Sequence, residues 1–363
     1  MSACDRLTVT NPARYSQYSL ASDTPLNTST FVSPASDRGR SRFALPLRLP
    51  VVAAPMFLIS GPDLVIEACR AGIVGAFPTV NARTVEELDA WMTRITAALR
   101  ADAVARPGAT IGPWAANVIT HSTNLRLQQD LELVARYQPP VVITALGSPK
   151  PAIDLVHGYG GLVIADVVNL ALAQKAIDAG ADGLACISSG AGGHTGFLSP
   201  FAFISAVRAL TDGLVIVGGG IADGHGVAGA IAAGADLVYM GTRFIATPES
   251  LAVDDYKQMV VAANIDDLLV SASITGTPAS WLKPSLTRNG FDVNAMPDKP
   301  ERNYDSSRTG PKRWKDVWAA GQGVGAIRAI EPVSVVVDTL AREYETALAH
   351  VAALSAASKA RHA

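Results

Sequence analysis

From Leu45 onward, short apolar runs of strand length alternate with amphipathic stretches of helix length. Apolar runs of that length bounded by Gly, Pro or Asp suit parallel strands, because strands covered on both faces lose the in-out alternation. Eight occur, at 50–55 (PVVAAP), 72–77 (GIVGAF), 111–119 (IGPWAANVI), 140–146 (PVVITAL), 161–167 (GLVIADV), 183–188 (GLACIS), 214–218 (LVIVG) and 237–241 (LVYMG). Helices are predicted between them at 62–70, 84–100, 124–136, 150–157, 169–179, 199–210 and 224–233. Several open on an N-capping side chain or a first-turn proline, as at Thr84, Asn124, Ser148-Pro149 and Ser199-Pro200. Eight strands in strict alternation with helices predict an α/β chain closed into a (β/α)8 barrel. A doubly wound open sheet is the rival, but AAPMFLISG after the first strand lacks the GxGxxG turn of that fold.

After the eighth strand the rhythm stops. Residues 245–330 mix Pro, Trp, Tyr and charge without strand-like runs, and are expected to form a largely helical insertion over one end of the barrel. Residues 332–361 resume as an Ala-rich amphipathic helix that completes the outer ring. Residues 1–43 are polar and aperiodic and are read as a poorly ordered extension, leaving 44–363 as the barrel domain.

Composition narrows the classes. A chain of 363 residues, 49% of them hydrophobic, can fill one large barrel core. A net charge of −2 with both signs interspersed gives no basic stripe for nucleic acid. No apolar run reaches the ~20 residues of a membrane span, and the start lacks a signal-peptide pattern, so the cytoplasm is the expected compartment. Cys4, Cys69 and Cys186 are widely spaced and form neither a disulfide framework nor a metal site. Cys69 and Cys186 are expected to be small buried hydrophobes.

In such a barrel, chemistry belongs to the loops that follow the strands. Gly218-Gly219-Gly220 follows the seventh predicted strand and Gly241-Thr242 the eighth. Glycines let backbone N–H groups approach phosphate closely, and barrels often hold phosphate at these two loops. Tight turns alone would also explain them. Ser188–Gly196 (SSGAGGHTG) follows the sixth strand and sets His194 among small neighbours. Histidine suits proton transfer near neutrality, whereas a loop histidine bonded to a carbonyl is the bland alternative. His121, after the third strand, could reach the mouth but has no supporting motif. Ala54-Pro55-Met56 ends the first strand and presents its backbone there. Asn117 and Asp166 are polar residues within apolar strands; interior hydrogen bonds and ligand contact are equally open for each.

Together these segments resemble the nitronate monooxygenase (2-nitropropane dioxygenase) family of FMN barrels, over roughly residues 45–330. The resemblance rests on APM at 54–56, Asn117 in WAANVIT, VVITALGSP at 141–149 and AGADGLACISSGAGGHTG at 179–196. It continues through VIVGGGIADGHG at 215–226, GADLVYMGTRFIAT at 234–247 and AAGQGVG at 319–325. It implies that Ala54, Pro55 and Met56 line the isoalloxazine and that Asn117 hydrogen-bonds it. Gly218, Gly219, Gly220, Gly241 and Thr242 would hold the FMN phosphate. His194, beside Gly193, would be the base, and the 321–325 stretch would return to cover the flavin. Two positions depart from the family pattern: Gly190 stands where an acidic residue is common, and Asp166 where a flavin-contacting lysine falls. The implied activity is oxidation of an alkyl nitronate or nitroalkane with O2 to a carbonyl compound and nitrite. An NAD(P)H-dependent reductase of quinones or enoyl thioesters is the alternative on the same scaffold. A homodimer is compatible with either. A Schiff-base aldolase is disfavoured, because no lysine lies in any predicted strand.

Overall fold

The computed structural model describes residues 47–296 and 312–362. The expected extension at 1–43, Cys4 and part of the 245–330 insertion lie outside the described residues. Six parallel strands come first: β1 (Val51–Ala53), β2 (Val74–Pro78), β3 (Trp114–Ile119), β4 (Val141–Ala145), β5 (Leu162–Val167) and β6 (Gly183–Ile187). A two-residue strand, β7 (Gly193–His194), interrupts the next loop, and β8 (Leu214–Gly218) and β9 (Leu237–Met240) complete the barrel. Closure is by β9 on β1, with Val51 opposite Val238 and Ala53 opposite Met240.

The helices are α1 (Pro62–Arg70), α2 (Val85–Ala105), α3 (Leu127–Tyr137), α4 (Lys150–Gly158), α5 (Leu170–Asp178), α6 (Pro200–Arg208) and α7 (Gly224–Ala232). Side-chain caps start four of them: Thr84, Asn169, Ser199 and Asp223 each accept a first-turn N–H. Asn124 does not cap α3; it holds the preceding loop, donating to Ile119 O and accepting from Arg126 N–H. The closing helix, α11 (Val333–His362), docks on α7, where Glu343 accepts the Gly224 N–H at 2.8 Å.

Val52, Val74, Val141, Ile164, Leu214 and Leu237 fill the barrel interior, leaving a void of only about 10 Å³. The barrel is therefore a packed core, and ligands can meet it only at a rim. A second shell of Val, Ile, Leu and Ala packs between strands and outer helices, with Cys69 and Cys186 buried in it as free thiols.

The insertion departs from expectation. It contains α8 (Thr242–Ile245) at its start, α9 (Asp254–Ala262) and α10 (Lys283–Arg288), but also an antiparallel pair, β10 (Leu268–Ser271) and β11 (Ala279–Leu282). β11 pairs in turn with β7, placing Ala279 opposite His194. These strands are four residues long and β10 is only half-buried, so neither shows a strand-like apolar run. The second partner of β11 is the two-residue β7, whose His194 lies opposite Ala279 far downstream in the chain. Local pattern carries no trace of it.

Candidate active site

Period-two alternation turns every second barrel residue inward. Ala54, Ala76, Ala115, Ile143, Ile164, Ala185, Ile216 and Tyr239 belong to the interior cluster. The next inward positions toward the C-terminal rim are therefore Asn117 on β3, Asp166 on β5, Gly218 on β8 and Gly241 after β9. Residues singled out separately in the sequence thus share one rim, with Ala54 at its edge just after β1.

The Ala54–Met56 loop is held rigidly. Ser60 Oγ donates to Ala54 O and accepts from Met56 N–H at 2.9 Å, while Asn81 Nδ2 donates to Met56 O and Ser60 O. Neither Ser60 nor Asn81 stood out in the sequence, because their roles depend on contacts made by folding. Asn117 is buried, and its amide reaches only Ile143 O at 3.4 Å, a weak bond that leaves it available to a ligand.

Two buried polar atoms here have no partner among the described residues, Asp166 Oδ1 at the rim and Tyr239 OH in the layer beneath it. Burial pushes the Asp166 carboxyl up to about 7. Burial, reinforced by the Asp166 charge, holds the Tyr239 phenol well above its usual value. At neutrality Asp166 is thus poised between acceptor and neutral hydrogen-bond donor.

The glycine loops converge with the end of the insertion. Gly190 O accepts N–H bonds from Gly220 (3.0 Å) and Gln322 (2.8 Å), and Gly321 N–H donates to Thr242 Oγ1 at 2.9 Å. The 321–325 stretch therefore does lie against both loops. A phosphate at this corner would compete with Gly190 O for the Gly220 N–H, whereas the Thr242 hydroxyl still has its proton to give. Gly190 suits its backbone: its φ is +85°, which side chains rarely adopt, and a Cβ there would lie a tight 3.2 Å from Gly220 N, whereas its 2.8 Å approach to Gln322 Oε1 meets the movable end of a side chain.

His194 sits on β7, so its backbone is tied into the insertion sheet. Its ring meets Trp314 edge-on at 5.2 Å, and Trp314 leans on Trp281 at 4.6 Å. Among the described residues nothing hydrogen-bonds the ring. Although part of the residue is open to solvent, the surrounding protein and then the Arg313 charge lower its pKa from the ordinary 6.5. Near neutrality the imidazole is free to accept a proton. Gln322 lies in the 321–325 stretch expected at the flavin, but Trp314 and Arg313 were not identified from sequence, because their part of the insertion reaches the mouth only by its tertiary path.

Two of the rim glycines have room beside them. A Cβ on Gly220 would come no nearer than 3.7 Å to the Gln322 side chain, and one on Gly241 no nearer than 3.4 Å to Met56, so both glycines leave room beside the strand ends. Residues 42–343 match the nitronate monooxygenase family model. A (3aS,4S,5R,7aS)-5-hydroxy-7a-methyl-1-oxo-octahydro-1H-indene-4-carboxyl-CoA dehydrogenase of Rhodococcus jostii (strain RHA1) is 30% identical over 240 residues. That match covers 66% of this chain and 64% of the relative, so it spans less than two thirds of the relative's length. A nitronate monooxygenase of Neurospora crassa is 24% identical, with 84% of this chain and 92% of the relative covered. Among solved structures, a FabK variant of Thermotoga maritima superposes with a TM-score of 0.68 at 25% identity, covering 87% of this chain and 99% of that one. With its family model matched across barrel and insertion alike, the chain belongs to the nitronate monooxygenase family of flavin-dependent oxidoreductases.

Proposed function

We propose that this chain binds FMN and oxidises alkyl nitronates, or nitroalkanes after deprotonation, with O2 to a carbonyl compound and nitrite. The observation that carries the reading is His194, a neutral imidazole held at the barrel mouth between a glycine-rich turn and Trp314. Ala54–Met56, Asn117 and Asp166 would hold the isoalloxazine. Gly218, Gly219, Gly220, Gly241 and Thr242 would hold the phosphate, with Gly193 leaving space beside His194. Bound there, FMN would supply the redox chemistry, taking reducing equivalents from substrate and passing them to O2.

The chain's own part begins with the proton. A ring nitrogen of His194 takes the α-proton of a nitroalkane; the C–H electron pair moves into the C=N bond and the charge settles on the two nitro oxygens. The imidazolium then donates a hydrogen bond to that anion, and the Arg313 charge nearby favours it. Trp314 and the β7–β11 pairing keep the ring in place. No described helix is long and apolar enough to cross a membrane; a cytoplasmic setting and a homodimer remain parts of the proposal.

The pH dependence is specific. Turnover of a neutral nitroalkane should rise through an inflection below 6.5 and then level off, because the protonated ring cannot act as a base. Arg313→Gln removes a charge that lowers this pKa, so the inflection should move upward; an unmoved profile would detach the base from Arg313. Nitrite release that matches O2 uptake with a nitronate would support the reaction, and nitronate consumption without nitrite would rule it out. A second reading, NAD(P)H-dependent reduction of quinones or enoyl thioesters, is favoured by two observations. Lys312, Arg313 and Lys315 are all exposed on the segment beside His194, as a polyanionic thioester would require, and the Rhodococcus relative is named for a carboxyl-CoA.

A further inference from the structure

The loops after β2, β3 and β4 enclose a cleft of about 580 Å³, lined by Val80, Ile119, His121, Thr123, Asn124 and Leu146. Ile119 lies two residues beyond Asn117 on the same inward row of β3, opposite Ala145 of β4. The cleft therefore opens directly above Asn117. In the closed strand order, β3 and β4 lie on the arc facing β8 and β9, which carry the glycine loops.

Two features of its wall bear on what it could hold. Leu146 is 64% exposed and has a φ of +59°. Left-handed backbone is unfavourable for a side chain, and leaving leucine in water forgoes its burial. Its neighbour fixes it there: a Cβ on Gly147 would fall 2.6 Å from the Thr120 carbonyl carbon and 2.7 Å from His121 N, so the two loops are pressed together. The second feature is His121. Thr123 N–H donates to its Nδ1 at 3.3 Å, and the Thr123 hydroxyl lies 2.8 Å from the same nitrogen. A nitrogen that accepts an N–H carries no proton, so the neutral ring bears its proton on Nε2. That N–H has no partner among the described residues.

We propose that the cleft is a substrate subsite for an extended apolar body, an alkyl chain or alicyclic ring system, bearing an oxygen acceptor for His121 Nε2–H. It rests on the proposed reaction for the head group and deepens it: the preferred nitronate is large. Leu146 is held strained and exposed because the substrate covers it.

The test uses the FMN-loaded protein and two ligand series. Carboxylates from propionate to nonanoate mimic the planar anionic nitronate without turning over, and their binding is read by calorimetry; n-alkyl nitronates of matching length are read by kcat/KM. Each added methylene should improve both by about fourfold until the cleft fills. Leu146→Gly suits the native φ, so its Tm should hold or rise while the increment per methylene falls below about twofold. A carboxylate with a mid-chain ketone should bind about two- to tenfold more tightly than its plain counterpart, and His121→Phe should remove that preference. A flat carboxylate series in the unmodified protein would overturn the proposal. So would Leu146→Gly releasing FMN, which would make the cleft part of the flavin site, or changing the molecular mass in solution, which would assign it to a second copy. If nitronates are not consumed but the carboxylate series keeps its slope and its dependence on Leu146, the cleft stands and the proposed reaction falls.

Discussion

Replacing His194 by asparagine is expected to leave the barrel folded and FMN bound, and to slow turnover of a neutral nitroalkane by on the order of 10²–10⁴. The fold should survive because β7 holds this position through backbone pairing with β11, which asparagine preserves. The edge contact with Trp314 is lost, at a cost of roughly 0.5–1.5 kcal/mol. What disappears is a proton acceptor whose pKa lies below the operating pH. A pre-formed nitronate has already lost its proton, so its oxidation should slow much less. Equal losses on both substrates would make His194 an anion-binding residue. No loss on either would leave it as a loop histidine with only a structural part.

Replacing Gly241 by valine is expected to weaken FMN binding by roughly 10–100-fold, the loss of one or two charge-assisted hydrogen bonds. This position separates ligand effects from folding effects better than Gly220 does. Its φ is −98°, which any residue adopts, and the nearest atoms to a Cβ there would be those of Met56, with Sδ at 3.4 Å, and then Ala54 Cβ at 3.8 Å. Gly220 has a φ of +69°, so a side chain there would strain the backbone whatever the ligand does. The flavin-free Gly241→Val protein should therefore melt within a few degrees of the unmodified flavin-free protein, while equilibrium dialysis shows the weaker FMN binding. Full FMN retention would move the phosphate away from this rim.

The barrel was legible because its strands are buried on both faces and read as continuous apolar runs, and because caps such as Thr84 and Ser199 mark helix starts. The rim was legible for a related reason. Asn117, Asp166 and the glycines interrupt those runs at the ends where interior packing gives way to the mouth. What stayed hidden is nonlocal. β10 and β11 are too short to carry a pattern, and β11 is completed by two residues of a distant glycine-rich loop. Trp314 and Arg313 gain their positions only when the insertion folds back. His121 lacked a motif, and its interest comes from a tautomer fixed by Thr123 and a cleft shared by three loops. The glycine at 190, a departure in sequence, suits a backbone held at a φ of +85°.

In the proposed reaction a nitronate, not a nicotinamide, is the source of electrons. Anaerobic titration of the FMN-loaded protein with propyl nitronate and, separately, with NADH tests this most directly, with the visible flavin absorbance as the readout. The nitronate should bleach the flavin in proportion to the amount added, and NADH should leave it oxidised on the same timescale. Rapid bleaching by NADH, with none by the nitronate, would contradict the assignment.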